Sequence, residues 1–144
     1  STMASSTIES TTRNAAEALT SPDNVGFVRD DAVVFVVLLT DEDTLDQGMT
    51  RVEVREQILS AVGGDLSRVV LLGITGDPGV FEMPKTTCLG DYGTATPGRR
   101  ISSIVRSFRD QGVMVDICGG QLASAFDAAL DELVHTCNSF HPEG

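Results

Sequence analysis

Three consecutive acidic residues, Asp41, Glu42 and Asp43, follow directly on an apolar run and carry the most pointed chemistry in the sequence. Carboxylates crowded on one loop repel one another, and a hard divalent cation such as Mg²⁺ or Ca²⁺ relieves that repulsion through oxygen ligands. The plainer alternative is a solvated acidic turn in which Asp43 or Thr44 caps the following helix. His135, Cys137 and His141 are close in sequence and are transition-metal ligand types. His135, however, ends a helical pattern and His141 sits in the terminal N-S-F-H-P-E-G, so these residues read as the end of the chain. Gly76-Asp77-Pro78-Gly79 has the glycines of a phosphate loop but lacks the G-K-[ST] ending. The three cysteines, Cys88, Cys118 and Cys137, leave at least one thiol unpaired within the chain, and the absence of any C-x-x-C removes the usual zinc motif. Cys88 has no evident base beside it that would make it a nucleophile.

The elements that must position these residues follow from apolar patterning. Ile8 to Leu19 predicts a short helix that Ser21-Pro22-Asp23-Asn24 stops. Ala32 to Leu39, A-V-V-F-V-V-L-L, is apolar without alternation, the signature of a strand covered on both faces in a parallel sheet. Val52, Val54, Ile58, Leu59 and Val62 give a second helix closed by Gly63-Gly64, and Arg68 to Ile74 gives a second buried strand. From Thr75 to Gly98 glycine and proline recur, predicting a long loop of functional or irregular character. Ile101, Ile104, Val105 and Phe108 mark a third helix, with Gly112 as its cap and Arg99-Arg100 in its exposed first turn. Val113 to Ile117 is a third strand, and Leu122 through Val134 a last helix with Asp127, Asp131 and Glu132 on its wet side.

The order α-β-α-β-α-β-α predicts an α/β fold, a parallel sheet with right-handed crossovers and helices on both faces. Three strands are few for such a layer, which ordinarily has about five or six. The most apolar strand would also stand at an edge with an unpaired ladder. The sheet is therefore expected to be incomplete, completed by a missing N-terminal half or by a strand from another chain. Residues 1–144 read as one partial domain, with 1–7 as a flexible N-terminal segment and 138–144 as a C-terminal tail.

Composition narrows the function classes. The net charge is −11, from 21 acidic and 10 basic residues with a single Lys, which argues against nucleic acid as a partner. An apolar share of 41% argues against global disorder, and no apolar run reaches the roughly 18 residues of a membrane span. The stretch S-T-M-A-S-S-T-I-E-S-T-T lacks the basic-then-apolar pattern of a signal peptide.

The tract N-V-G-F-V-R-D-D-A-V-V-F-V-V-L-L-T-D-E-D at 24–43 resembles the central strand region of von Willebrand factor type A domains, and most closely a bacterial exported subset. The resemblance continues through C-L-G-D-Y-G-T-A-T-P-G-R-R at 88–100 and F-R-D-Q-G-V-M-V-D-I-C at 108–118 to the closing helix. It covers about Ser5 to Cys137. It implies a Rossmann-like sheet with a metal-ion-dependent adhesion site at its carboxyl edge, built from an Asp-x-Ser-x-Ser loop, a Thr and an Asp. Asp41 matches the last of these and Thr2 or Thr7 the second, with Glu42 and Asp43 raising the local negative potential. The Asp-x-Ser-x-Ser loop is absent, so the chain resembles the C-terminal half of such a domain. The resemblance thus implies a non-catalytic adhesion or protein-binding module at the cell envelope or outside the cell, dependent on Mg²⁺ or Ca²⁺ only once completed. Its partner would be another protein or its own N-terminal half, assembled along the edge strand 32–39. In the exported subset Cys88 and Cys118 would staple the long loop, stabilising by roughly 3–4 kcal/mol; the alternative is two buried free thiols. Cys137 would pair outside the chain.

A second resemblance belongs to a different class. Asp41-Glu42-Asp43-Thr44-Leu45 after an apolar strand matches the D-x-D-x-T signature of haloacid dehalogenase-type phosphotransferases. That match implies Asp41 as nucleophile, Asp43 as general acid/base and Mg²⁺ to offset their charge, with Thr75 binding phosphate and Lys85 neutralising it. Asp116-Ile117-Cys118-Gly119-Gly120 departs from the paired acidic residues that would complete its Mg²⁺ site.

Overall fold

The computed structural model describes residues 10–45, 48–80, 83–91 and 93–141. The expected ligands Thr2 and Thr7, with the rest of the segment 1–7, lie outside the described residues. Among the described residues four α-helices, α1 (Thr11–Thr20), α2 (Arg51–Ala61), α3 (Arg99–Arg106) and α4 (Leu122–Ser139), surround a three-stranded sheet. Its strands β1 (Val34–Leu39), β2 (Val69–Thr75) and β7 (Gly112–Asp116) lie in the order β1-β2-β7 and are all parallel. The connection from Thr75 to Gly98 is not a plain loop. It holds two small antiparallel hairpins, β3 (Gly79–Val80) with β4 (Met83–Pro84), and β5 (Cys88–Gly90) with β6 (Gly93–Ala95). Strands of two or three residues leave no alternation to read, so apolar patterning misses them.

Every residue of β2 is buried. Its neighbours in register share its two faces: Val34, Val36 and Leu38 lie beside Val69, Leu71 and Gly73, and Phe35, Val37 and Leu39 beside Val70, Leu72 and Ile74. The first set packs with Ala16 of α1, Val54 and Ile58 of α2, and Ile101, Ile104 and Val105 of α3. On the second face Leu72 and Ile74 pack with Ala129 and Leu122 of α4 and with Val113 and Val115 of β7. Helices therefore cover both faces, as expected of a parallel sheet. The cover is uneven, because Val37 and Leu39 remain 41% and 58% exposed on the α4 side. Strand β1 is the expected edge.

Local signals explain the boundaries. Thr50, rather than Asp43 or Thr44, caps α2: its hydroxyl accepts from Glu53 N–H while its own N–H donates to the Glu53 carboxylate at 2.6 Å. The bond from the Thr50 N–H, and then the Thr50 hydroxyl, hold the Glu53 carboxyl below its usual range. Gly112 does not cap α3. The helix ends at Arg106, a 3₁₀ turn over Arg109–Gln111 follows, and Gly112 opens β7 against the Val105 carbonyl, where a Cβ would collide with backbone. Helix α4 runs to Ser139, so the first two residues of the expected tail are helical.

Arg68, at the entrance to β2, ties the amino-terminal edge together. It is 9% exposed, and its guanidinium donates to the carbonyls of Arg29 (2.5 Å), Ala32 (3.2 Å) and Val62 (3.2 Å). Val62 follows the C-terminus of α2, where the helix dipole favours a cation. The Phe140 ring lies 5.5 Å from the same guanidinium, which fixes the segment after α4. Arg68→Ala would strand three carbonyls and is expected to cost about 3 kcal/mol. Urea unfolding should show this as a lower midpoint at unchanged slope, with Arg68→Lys intermediate because one ammonium cannot span the three acceptors.

Candidate functional site

At the carboxyl ends of the strands a crevice of about 500 Å³ opens between Leu39-Thr40-Asp41, the β5–β6 hairpin and Ile117-Cys118. Open parallel sheets gather ligands at this edge. Its walls are fixed by backbone bonds. Thr40 N–H donates to the Ile74 carbonyl, Thr96 N–H donates to the Asp41 carbonyl at 2.8 Å, and Gly98 N–H donates to the Gly76 carbonyl at 2.8 Å. The returning leg of the hairpin is thereby laid across the ends of β1 and β2. On the other wall Gly90 sits so close to Cys118 that a Cβ would lie 2.7 Å from the Cys118 carbonyl oxygen. The disulfide Cys88–Cys118, Cα atoms 6.0 Å apart, locks this contact. The expected bridge between Cys88 and Cys118 is therefore present, and bonds of this kind form and persist in oxidising compartments. Cys137 is free and exposed on α4.

The acidic triplet divides. Asp41 and Glu42 are exposed, and Asp41 lines the crevice. Asp43 turns away to the N-terminus of α3, where its carboxylate accepts from the backbone N–H groups of Arg100 (2.9 Å), Ile101 (3.3 Å) and Thr44 (3.0 Å). It caps a helix, as one reading of the triplet required, but that helix lies 57 residues on. The cap substitutes for Gly98, which has no side chain to offer. Arg100 adds a bond from its guanidinium to the Met49 carbonyl at 2.5 Å, pinning the acidic loop from its far end.

The residues of the phosphotransferase reading take different roles in the structure. Thr75 is fully buried beneath Gly98, and its hydroxyl has no hydrogen-bond partner among the described residues. Lys85 pairs with Asp77 rather than with Asp41 or Asp43. Asp77 also accepts from Gly79 N–H at 2.8 Å, and the Lys85 ammonium and then this bond hold its carboxyl below the usual range. The same pairing raises Lys85 above its ordinary value. Asp41 thus lines the crevice, Asp43 caps α3, and the Thr75 hydroxyl is buried.

Among the described residues one carboxylate-bearing residue, Asp41, lines the crevice together with Thr40 and Thr94, whereas Ca²⁺ takes six to eight oxygens and Mg²⁺ six. Among the described residues the one group with ligand atoms gathered closely enough for a metal is Cys88, Asp116 and Cys118, within 4.8 Å of one another. Both sulfurs there are consumed by the bridge. The Asp116 carboxylate accepts from Cys118 N–H at 3.0 Å, which turns the chain out of β7. His135, Cys137 and His141 form no such group. Sequence reasoning missed the hairpin as a crevice wall, although Gly90 and Gly93 on either side of a two-residue turn are a hairpin signal.

Two expectations separate scaffold from site. Asp43→Ala should lose about 1–2 kcal/mol of stability by removing the α3 cap, whereas Asp41→Asn should change it by less than about 0.5 kcal/mol, both read from urea midpoints. The lowered Asp77 carboxyl contributes its interaction above the ordinary Asp value of about 3.9, and loses it as pH falls through the lowered one. Lys85 contributes below about 10.4 and loses its share as pH rises through its raised value. The Gly79 amide resonance should accordingly stay constant through neutrality and move only at the acidic and alkaline extremes, with little effect on unfolding because the pair is exposed.

No protein-family model, characterised protein or solved structure matches the chain. The likeness to von Willebrand A domains accordingly rests on the sequence tracts at 24–43, 88–100 and 108–118.

Proposed function

We propose that the chain is a non-catalytic protein-binding module of von Willebrand A type that works as one half of a Rossmann-like, doubly wound sheet. Another polypeptide strand pairs in parallel along the outer edge of β1, and the crevice beside Asp41 becomes the switch point between the two halves. The observation that carries this reading is the position of β1, an apolar parallel strand at the edge of the sheet with Val37 and Leu39 uncovered. Such an edge presents a full row of backbone donors and acceptors to water, and natural proteins pair or cover one.

A second feature of the same edge supports it. A groove of about 380 Å³ runs between α1 and β1, lined by Ala15, Ala18, Leu19, Phe27, Val28 and the successive residues of the strand. Phe27, which lines it, is 73% exposed. Main-chain pairing along β1 would supply affinity, and these apolar side chains specificity, the general mode of strand addition. The incoming half also brings the remaining oxygen ligands, so dependence on Mg²⁺ or Ca²⁺ belongs to the completed module. The Cys88–Cys118 bridge supports a location at the cell envelope or outside the cell.

The test compares this chain with a longer one that includes the natural sequence preceding Ser1. Hydrogen exchange at the β1 amides should slow by at least about tenfold in the longer chain, the equivalent of 1.4 kcal/mol. Mg²⁺ titration by calorimetry should give binding that Asp41→Asn abolishes. Equal β1 exchange in both chains would overturn the pairing. A longer chain that pairs at β1 yet binds Mg²⁺ regardless of Asp41 would overturn the assignment of the cation site.

A further inference from the structure

We infer that the exposed apolar stripe of α4 seats an amphipathic helix flanked by Lys and Arg, carried by the polypeptide that pairs with β1. The inference rests on that pairing and specifies its partner. Phe126, Leu130, Val134 and Cys137 are spaced four, four and three residues apart, so they share one face of α4, and all four are exposed. Ala125, Ala129 and Thr136 fill the face that meets the sheet. The helix is therefore apolar well beyond the arc its own sheet can cover, at 38%, 47% and 58% exposure for the three large side chains. On the same side of the sheet Val37 and Leu39 are open, because α4 packs on β2 and β7.

The handedness of crossovers says which element belongs there. The connections β1-α2-β2 and β2-α3-β7 run in one direction across the sheet and keep α2 and α3 on one face. A strand laid outside β1 that continues away from it, with the same right-handed crossover, must send its helix to the opposite face. That face is the one α4 occupies. The other face is closed to it at β1, since α1 already lies there against α2 and β1. The geometry thus accommodates a helix beside α4, over Val37 and Leu39.

Charge selects the partner's chemistry. Asp127 and Asp131, both exposed, border the stripe, and the chain carries a net −11. A second copy docking through its own α4 would bring acidic flanks together, whereas an apolar helix with basic flanks would pair with them across the rim.

Cys137 is a built-in reporter, because it is the free thiol within the stripe while Cys88 and Cys118 are bridged. The probe is a synthetic helical peptide of about 18 residues, five turns, with a Leu stripe flanked by Lys. Its control has the same stripe flanked by Glu. At about ten times its Kd the Lys peptide should slow reaction of Cys137 with an aromatic disulfide reagent by about tenfold. The Glu peptide should leave the rate unchanged, and Leu130→Glu, at a position already half exposed, should abolish protection with circular dichroism unaltered. Equal protection by both peptides, or none by the Lys peptide, would overturn the inference. So would protection that grows with protein concentration alone, which identifies a second copy as the occupant. In the longer chain, slow β1 exchange with Cys137 still reactive would sink this helix and leave the strand pairing standing. Protected Cys137 with fast β1 exchange would sink the pairing instead.

Discussion

A parallel strand that is apolar on both sides has no wet face, and β2 is such a strand, with all seven residues from Val69 to Thr75 buried. Every other element answers to that condition. Strands β1 and β7 satisfy its ladder on either side, α1 to α3 cover one surface and α4 the other. Arg68 gives the strand a fixed entry by gathering carbonyls from three separate segments, and the Gly98 N–H bonded to the Gly76 carbonyl fixes the chain just beyond its exit. The demand is met in full at the centre of the sheet. It fails one strand further out, where β1 is equally apolar but Val37 and Leu39 on its second face stay open.

The fold was legible where apolar residues are dense. The tract 32–39 is apolar without alternation and reads as buried on two faces, 68–74 reads as a second buried strand and 113–117 as a short third one, and β1, β2 and β7 fall within one or two residues of them. The expectation that the most apolar strand stands at an edge is met by the order β1-β2-β7. What could not be read was the hydrogen bonding set by partners distant in sequence. Asp43 looks like the cap of a helix soon after it, yet its acceptors are used 57 residues later, and no local pattern reports that. Arg68 reads as the first residue of a strand, and its role depends on carbonyls of loops 29–32 and 62, whose approach only the folded chain creates.

The candidate site was half legible for the same reason. Apolar-to-acidic transition at Asp41 marks the carboxyl edge of a strand, and that placement is local. Which of three carboxylates reaches the crevice depends on α3, whose N-terminus has Gly98 where a capping side chain would normally sit. An uncapped helix start attracts an anion, and Asp43 is the nearest one the loop can deliver. Diverting it leaves Asp41 as the one carboxylate-bearing residue among the described residues that line the crevice.

The long connection between β2 and α3 shows how such a crevice is kept open. A segment of 23 residues between two buried elements would ordinarily be costly to order, and here two short hairpins, the Asp77–Lys85 pair and the Cys88–Cys118 bridge share that task. The bridge closes a span of 30 residues, which in the chain-entropy account stabilises by roughly 3–4 kcal/mol. Its placement matters more than its magnitude. By fastening β5 to the end of β7, at the opposite margin of the sheet from β1, it holds one wall of the crevice in place and leaves the outer edge of β1 unobstructed. A disulfide on the β1 side would have given comparable stability while blocking that edge, so the stapling and the open edge are compatible parts of one arrangement.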